Sequence, residues 1–198
     1  MLKGRDLMKK SLGADTFALP TPVWVVGTYD DQGKPNIMTA AWGGICCSVP
    51  PCVAVSLQKI RASYNNIINQ KAFTINIPSV DQMTAADYVG IASAKNFDKF
   101  ATTGFTAVKS DLVNAPYIKE FSLVLECKLV HTIDLGLHTQ FIGEIVDAKA
   151  EEAVLGDNGL PVLSKVNPFT FSPPERKYYA IGQDLGQAFS FGKKLFDK

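Results

Sequence analysis

The 198-residue sequence is poor in the residues that build metal centres, with two histidines, His131 and His138, and four cysteines, Cys46, Cys47, Cys52 and Cys127. No C-x-x-C pair occurs. Cys47 and Cys52 have the opening spacing of a plant-type iron–sulfur loop, but the next ligand position is Val55. The spacing therefore argues against a metal site and for buried, reduced thiols. An excess of charge is also missing, since 20 basic residues face 19 acidic ones. A nucleic-acid partner is not expected without a basic face to neutralise phosphates. No apolar run approaches the roughly 20 residues of a membrane helix, and the charged start MLKGRDLMKK lacks the apolar stretch of a signal peptide. These absences lead to the expectation of a cytoplasmic protein that neither enters membranes nor binds nucleic acid.

Familiar nucleotide signatures are absent too. There is no G-x-G-x-x-G, no G-x-x-x-x-G-K-[ST] and no G-x-S-x-G, which removes the Rossmann fingerprint, the P-loop and the hydrolase elbow. What is present is β-structure. Val23-Trp24-Val25-Val26-Gly27-Thr28-Tyr29 has strand composition, residues 30–34 form a turn around Gly33, and residues 35–45 return as a second strand. Val49-Pro50-Pro51 stops that strand and residues 52–57 start a third. Ile60, Tyr64, Ile67 and Ile68 mark one stripe of a short helix with Ser63 as its N-cap. Residues 72–77 are strand, and 80–88 are helical with Gly90 closing the helix. Residues 95–118 are expected to be irregular. Phe121, Leu123, Leu125, Cys127 and Leu129 then alternate with Ser122, Glu126 and Lys128, predicting a strand whose two sets point to opposite faces. Gly136 breaks it and 138–148 pair back. Residues 151–175 are mostly loop, a short strand follows near Tyr178, and the end is an amphipathic tail bearing Leu185, Phe189, Leu195 and Phe196. Short, tightly punctuated strands point to an antiparallel barrel rather than βαβ units. A chain of this length fits one domain.

Two segments carry candidate chemistry. Lys59, Arg61 and Ser63 stand just before a helix, where free N–H groups and the dipole favour an anion. Arg61 can grip a phosphate through two donors, and Lys59 acts more as a point charge. Solvated charges on a capped surface helix would give the same pattern. In Asn36-Ile37-Met38-Thr39-Ala40-Ala41-Trp42, small residues would let a flat ring approach the main chain, although an ordinary hairpin strand with a packed Trp42 reads alike.

Together with Thr21-Pro22-Val23, Gly33-Lys34-Pro35, Pro50-Pro51, Arg61-Ala62-Ser63-Tyr64-Asn65-Asn66-Ile67, Phe73-Thr74-Ile75-Asn76-Ile77-Pro78, Asp98-Lys99-Phe100 and the stretch from His138 to Ile145, these segments occur in an order that resembles the flavin reductase-like family, and its flavoredoxin branch in particular. The resemblance spans about residues 15–182. It implies a mainly β fold with peripheral helices, the FMN-binding split β-barrel, antiparallel with Greek-key-like connections. It further implies one domain over 1–198, with a tail from 183 to 198, and a homodimer with one FMN per subunit near the interface. By this resemblance the flavin ring lies along Asn36, Met38, Thr39, Ala40, Ala41 and Trp42 and touches main chain near Ser56 and Leu57. The phosphate is held by Lys59, Arg61, Ser63 and Tyr64, and Lys99 reaches the flavin. Many two-component flavin reductases carry Gly-Asp-His where this chain has Gly136-Leu137-His138, leaving His138 as the candidate catalytic residue without its acidic neighbour. The expected function is an oxidoreductase in which the flavin carries the redox chemistry, with NAD(P)H or a redox protein as donor. The competing readings are a module in which FMN is structural or sensed, and a split barrel that holds haem on His131 or His138. Lys99 and His138 also admit plain structural roles.

Overall fold

The computed structural model describes residues 8–196; the first seven residues of the charged N-terminal segment and the last two of the tail lie outside the described residues. The strands are β1 (Thr21–Pro22), β2 (Trp24–Tyr29), β3 (Pro35–Ala40), β4 (Gly43–Ser48), β5 (Pro51–Gln58), β6 (Ala72–Ile77), β7 (Ala107–Lys109), β8 (Pro116–Ile118), β9 (Leu123–Asp134), β10 (His138–Ala150), β11 (Phe169–Ser172) and β12 (Lys177–Ala180). The helices are α1 (Ala62–Gln70), α2 (Met83–Ile91), α3 (Lys99–Thr103) and α4 (Leu163–Val166). Seven strands form one antiparallel sheet in the order β3-β2-β6-β9-β10-β5-β4. The β1-β11-β12 and β7-β8 sheets flank it. The fold is an antiparallel split β-barrel.

Strand β2 looks continuously apolar because both of its faces are buried. Val26 enters a core with Val53, Val55, Phe73, Ile75 and Phe141, and α1 closes that core with Ile67. Val25 enters a second core with Ile37, Ala86, Val89, Ile118 and Phe121, beneath α2. Polar residues join the layers. Asn76 Nδ2 donates to the Val25 carbonyl at 2.9 Å, its Oδ1 accepts from Ile118 N at 2.8 Å, and Thr74 Oγ1 donates to Pro116 O at 2.6 Å.

Several expectations are corrected. The strand expected over 35–45 breaks at Ala41–Trp42, and its halves β3 and β4 lie at opposite edges of the large sheet. A barrel must place its two edges somewhere, and this break is where the chain crosses the opening. Helix α1 begins after Arg61, so Ser63 is a buried first-turn residue rather than the N-cap. Gly90 lies inside α2, which ends at Ile91 with Ala92 as its C-cap, and its missing Cβ lets the helix approach Thr39. The stretch 95–118 holds α3 and the β7-β8 hairpin, and 151–175 holds α4 and β11. Glu126, on the polar side of the β9 alternation, is fully buried, with Lys149 Nζ 2.9 Å from its Oε2. Lys149 can reach back over Glu126 because the bulge between Ile145 and Asp147 shifts its strand's register. Of the thiols expected to be buried, Cys46 and Cys47 are exposed on edge strand β4. Among the described residues, no helix is long and apolar enough to cross a membrane and no group of three or more His, Cys, Asp or Glu is arranged to hold a metal ion.

Gly143 on β10 gives a direct test of this packing. A Cβ there would stand 2.5 Å from Phe73 Cζ and 2.9 Å from Cys127 Cβ. Gly143→Ala should therefore destabilise the fold by about 1–3 kcal/mol, as overpacked cores do. Urea unfolding measures this, and an unchanged midpoint would contradict the packing.

Candidate functional site

The break between β3 and β4 sets the site. Because β3 is an edge strand, its outer main-chain groups face no neighbouring strand. α1 starts beside it, anchored by a buried polar network. Asn36 Nδ2 donates to Ser63 Oγ at 3.0 Å, Thr28 Oγ1 donates to the same oxygen at 3.4 Å, and Asn66 Nδ2 donates to Thr28 Oγ1 at 3.0 Å. These bonds fix the first turn of α1 against β2 and β3.

Two adjoining cavities open here, with Met38 and Arg61 in the wall of both. The first, about 170 Å³, is lined by Asn36, Ile60, Ala62, Ser63, Lys99 and residues 92–95, and by no carboxylate. The second, about 230 Å³, is lined by Thr39, Ala40, Ala41, Trp42, Ser56, Leu57, Gln58, His138 and Phe171. One end is cationic and polar. The other combines small side chains with aromatic ones along exposed main chain.

Arg61 is held at the junction by a hydrogen bond from Nη1 to the Gly90 carbonyl, 3.1 Å. Its backbone is extended (φ −74°, ψ 135°) and it occupies the cap position of α1, whose first turn holds no acidic residue. Lys99 comes from α3. Asp98 caps that short helix, accepting from Ala101 N at 3.1 Å, and this bond holds the Asp98 carboxyl below its ordinary value, with the Lys34 charge helping. The cap turns Lys99 inward. Its Nζ donates to Ile37 O at 2.8 Å and to Val89 O at 2.9 Å, and the residue is only 6% exposed. Burial, reinforced by the Arg61 charge, pushes its ammonium down to about 8.

Twelve of the fourteen residues expected from the sequence therefore line the two cavities. Lys59 and Tyr64 do not. Lys59 points away and pairs with Asp134, which raises its affinity for a proton. Tyr64 packs its ring edge-on against Phe141, 5.4 Å between centroids, as part of the core. Lys99 is a buried cation and not a surface charge. His138 is half-buried in the second cavity, while His131 is exposed on β9. The sequence reading missed Gln58, Ala62, Phe171, the 92–95 loop and Ile60, which was expected on the helix stripe but lies exposed before α1. Phe171 stands in a proline-rich stretch that offers no periodic signal, and only the pairing of β1 with β11 brings it over the site.

The model of the flavin reductase-like domain matches residues 16–171. The chain belongs to this family. Among solved structures, the flavoredoxin of Desulfovibrio vulgaris (Miyazaki F) superposes with a TM-score of 0.89 at 55% identity, covering 93% of this chain and 100% of that one. The flavoredoxin from Methanosarcina acetivorans gives 0.89 at 31% identity, over 95% and 99%. An uncharacterised protein of Archaeoglobus fulgidus is 31% identical over 113 residues, which is 57% of this chain and 64% of that relative, so the match spans less than two thirds of its length. Membership in the flavin reductase-like family carries a flavin-related redox role.

Proposed function

We propose that this chain binds FMN across the two cavities and works as a flavin-dependent oxidoreductase of flavoredoxin type. One observation carries the reading: Arg61 and Met38 join a carboxylate-free cationic cavity to a cavity lined by small and aromatic residues along an open strand edge. That donor set suits a phosphorylated ring system. Arg61 and the first-turn N–H groups of α1 would hold the phosphate, with Ser63 beneath them and Lys99 adding positive charge. Asn36, Thr39, Ala40, Ala41, Trp42, Ser56 and Leu57 would line the ring, with Met38 at the junction. When bound, the flavin supplies the electron or hydride transfer. The protein's part is to orient the ring, exclude water with Trp42 and Phe171, and present His138 beside it as the residue able to hand over a proton. Residues 15–182 constitute the domain in this reading, and a cytoplasmic setting agrees with four free thiols.

The reading includes a homodimer. Leu185, Phe189, Leu195 and Phe196 are all exposed, Phe189 at 94%, as are Leu135 and Leu137 at the β9-β10 turn. A partner subunit would cover such surface. Light scattering should give a dimer at micromolar concentration; a monomer retaining its flavin would contradict this.

The deciding experiment denatures the purified protein, identifies the released chromophore by chromatography, and then adds NADH or NADPH anaerobically to the native protein. FMN at about one per chain is expected, and bleaching by a nicotinamide would name the donor. A stable yellow colour would direct the search to a redox protein. Haem, or no flavin after reconstitution with excess FMN, would overturn the proposal.

A further inference from the structure

Three of the four cysteines meet on the β4-β5 hairpin, outside the cavities described above. Ile45 faces Val53 and Cys47 faces Cys52, so Cys46 is the extra residue of a β-bulge. Directly opposed residues in antiparallel strands hold their Cα atoms about 4.5–5.5 Å apart, within the roughly 4.4–6.8 Å that a disulfide spans. Along β5, Val53, Val55 and Leu57 enter the core. Cys52 has the opposite parity, on the side of Ala54 and Ser56, and is still buried there. Cys47, as its cross-strand partner, shares that face.

The two thiols differ in access. Cys47 is exposed and Cys52 is buried at its side. Cys47 Sγ donates to the Val49 carbonyl at 3.3 Å, which keeps it at the hairpin tip. Burial raises the Cys52 thiol, and the neighbouring Cys47, Cys46 and Glu144 raise it further. Cys46 is equally exposed but has no residue directly opposite. Cys52 lies four positions along β5 from Ser56, about 13 Å at ~3.3 Å per residue, and no cysteine lines either cavity.

We propose that Cys47 and Cys52 form a thiol–disulfide exchange site whose substrate is a low-molecular-weight disulfide. Cys47 loses its proton and attacks one sulfur of the substrate. The substrate S–S bond breaks, a mixed disulfide forms on Cys47, and the leaving thiolate takes up a proton. Cys52 then gives up its proton and attacks Cys47 Sγ, and the second half of the substrate departs as a thiol. Two cysteine thiols are oxidised to one disulfide, and the substrate disulfide is reduced to two thiols. This site goes beyond the flavin reading and does not depend on it.

Oxidised glutathione is the probe, applied to the full-length protein as purified. The expected result is loss of two thiols per chain and a Cys47–Cys52 bond, located by mass spectrometry, that dithiothreitol reverses. Cys52→Ala should instead accumulate one glutathione on Cys47, and Cys47→Ala should slow modification at least about tenfold. Cys46→Ala should behave as the parent chain does. Circular dichroism of each variant checks that the fold survives. A Cys46–Cys52 bond, a cross-link between two chains, or a Cys47 that stays unmodified in the native protein would each overturn the proposal.

Discussion

Arg61→Ala should weaken FMN binding roughly 10- to 150-fold and leave riboflavin binding almost unchanged. The side chain stands at the junction of the two cavities, held there by its bond to the Gly90 carbonyl. A charge-assisted pair with a phosphate contributes about 1.5–3 kcal/mol, and each 1.4 kcal/mol is about tenfold in affinity. Riboflavin shares the ring but lacks the phosphate, so it separates the site from the fold. Equal losses for both ligands would show that the Gly90 contact holds the site together mechanically. No loss for either would place the anion elsewhere. Fluorescence titration of both flavins into parent and variant distinguishes the three outcomes.

Relative to Lys99→Met, the flavin-free parent should gain stability between about pH 8 and pH 10.5; the comparison cancels the opposing slope of Cys127, Cys52 and Tyr178, whose protons burial holds more tightly in the folded chain. Burial lowers the Lys99 ammonium from its ordinary 10.5 to about 8. In that window the unfolded chain binds a proton that the folded chain does not, so unfolding becomes harder as pH rises. The cost of the buried charge is fully present below the folded value and is relieved as pH climbs to the unfolded one. At about 1.36 kcal/mol per pH unit the gain is about 3 kcal/mol. The neutral amine still has two N–H groups for Ile37 O and Val89 O, so deprotonation breaks neither bond. Saturating FMN should flatten the same slope, because a nearby phosphate favours the charged form. Urea unfolding of parent and variant across this range checks both statements, and a parent-minus-variant difference that stays flat or falls over the window would refute the burial argument.

The strands were legible wherever local pattern and final burial agree. Residues 72–77 were expected as a strand and form β6, where Phe73, Ile75 and Ile77 alternate with Thr74 and Asn76 between Lys71 and Pro78. The 30–34 turn was legible because Gly33 has a φ of 77° and Asp30 Oδ1 accepts from Gln32 N and Lys34 N, all within five residues. The break at Ala41–Trp42 was not legible. Nothing in Ala40-Ala41-Trp42-Gly43 forbids a strand, and the chain turns there because the seven-stranded sheet has two edges to place.

The candidate site divides along the same line. From residue types, the sequence alone determined an antiparallel β-protein without a Rossmann or P-loop nucleotide site, and an Arg61–Ser63 segment suited to an anion; motif order added the family. Tertiary structure decided which candidates meet. Lys59 and Arg61 are two residues apart, yet one reaches Asp134 on β9 and the other Gly90 on α2. Lys99 and Phe171 are far from that segment in sequence, and they reach the cavities only through α3 capping and the β1-β11 pairing. A side chain's chemistry is written in its residue type, but its direction is set by whichever neighbours the packed sheet brings within hydrogen-bonding reach.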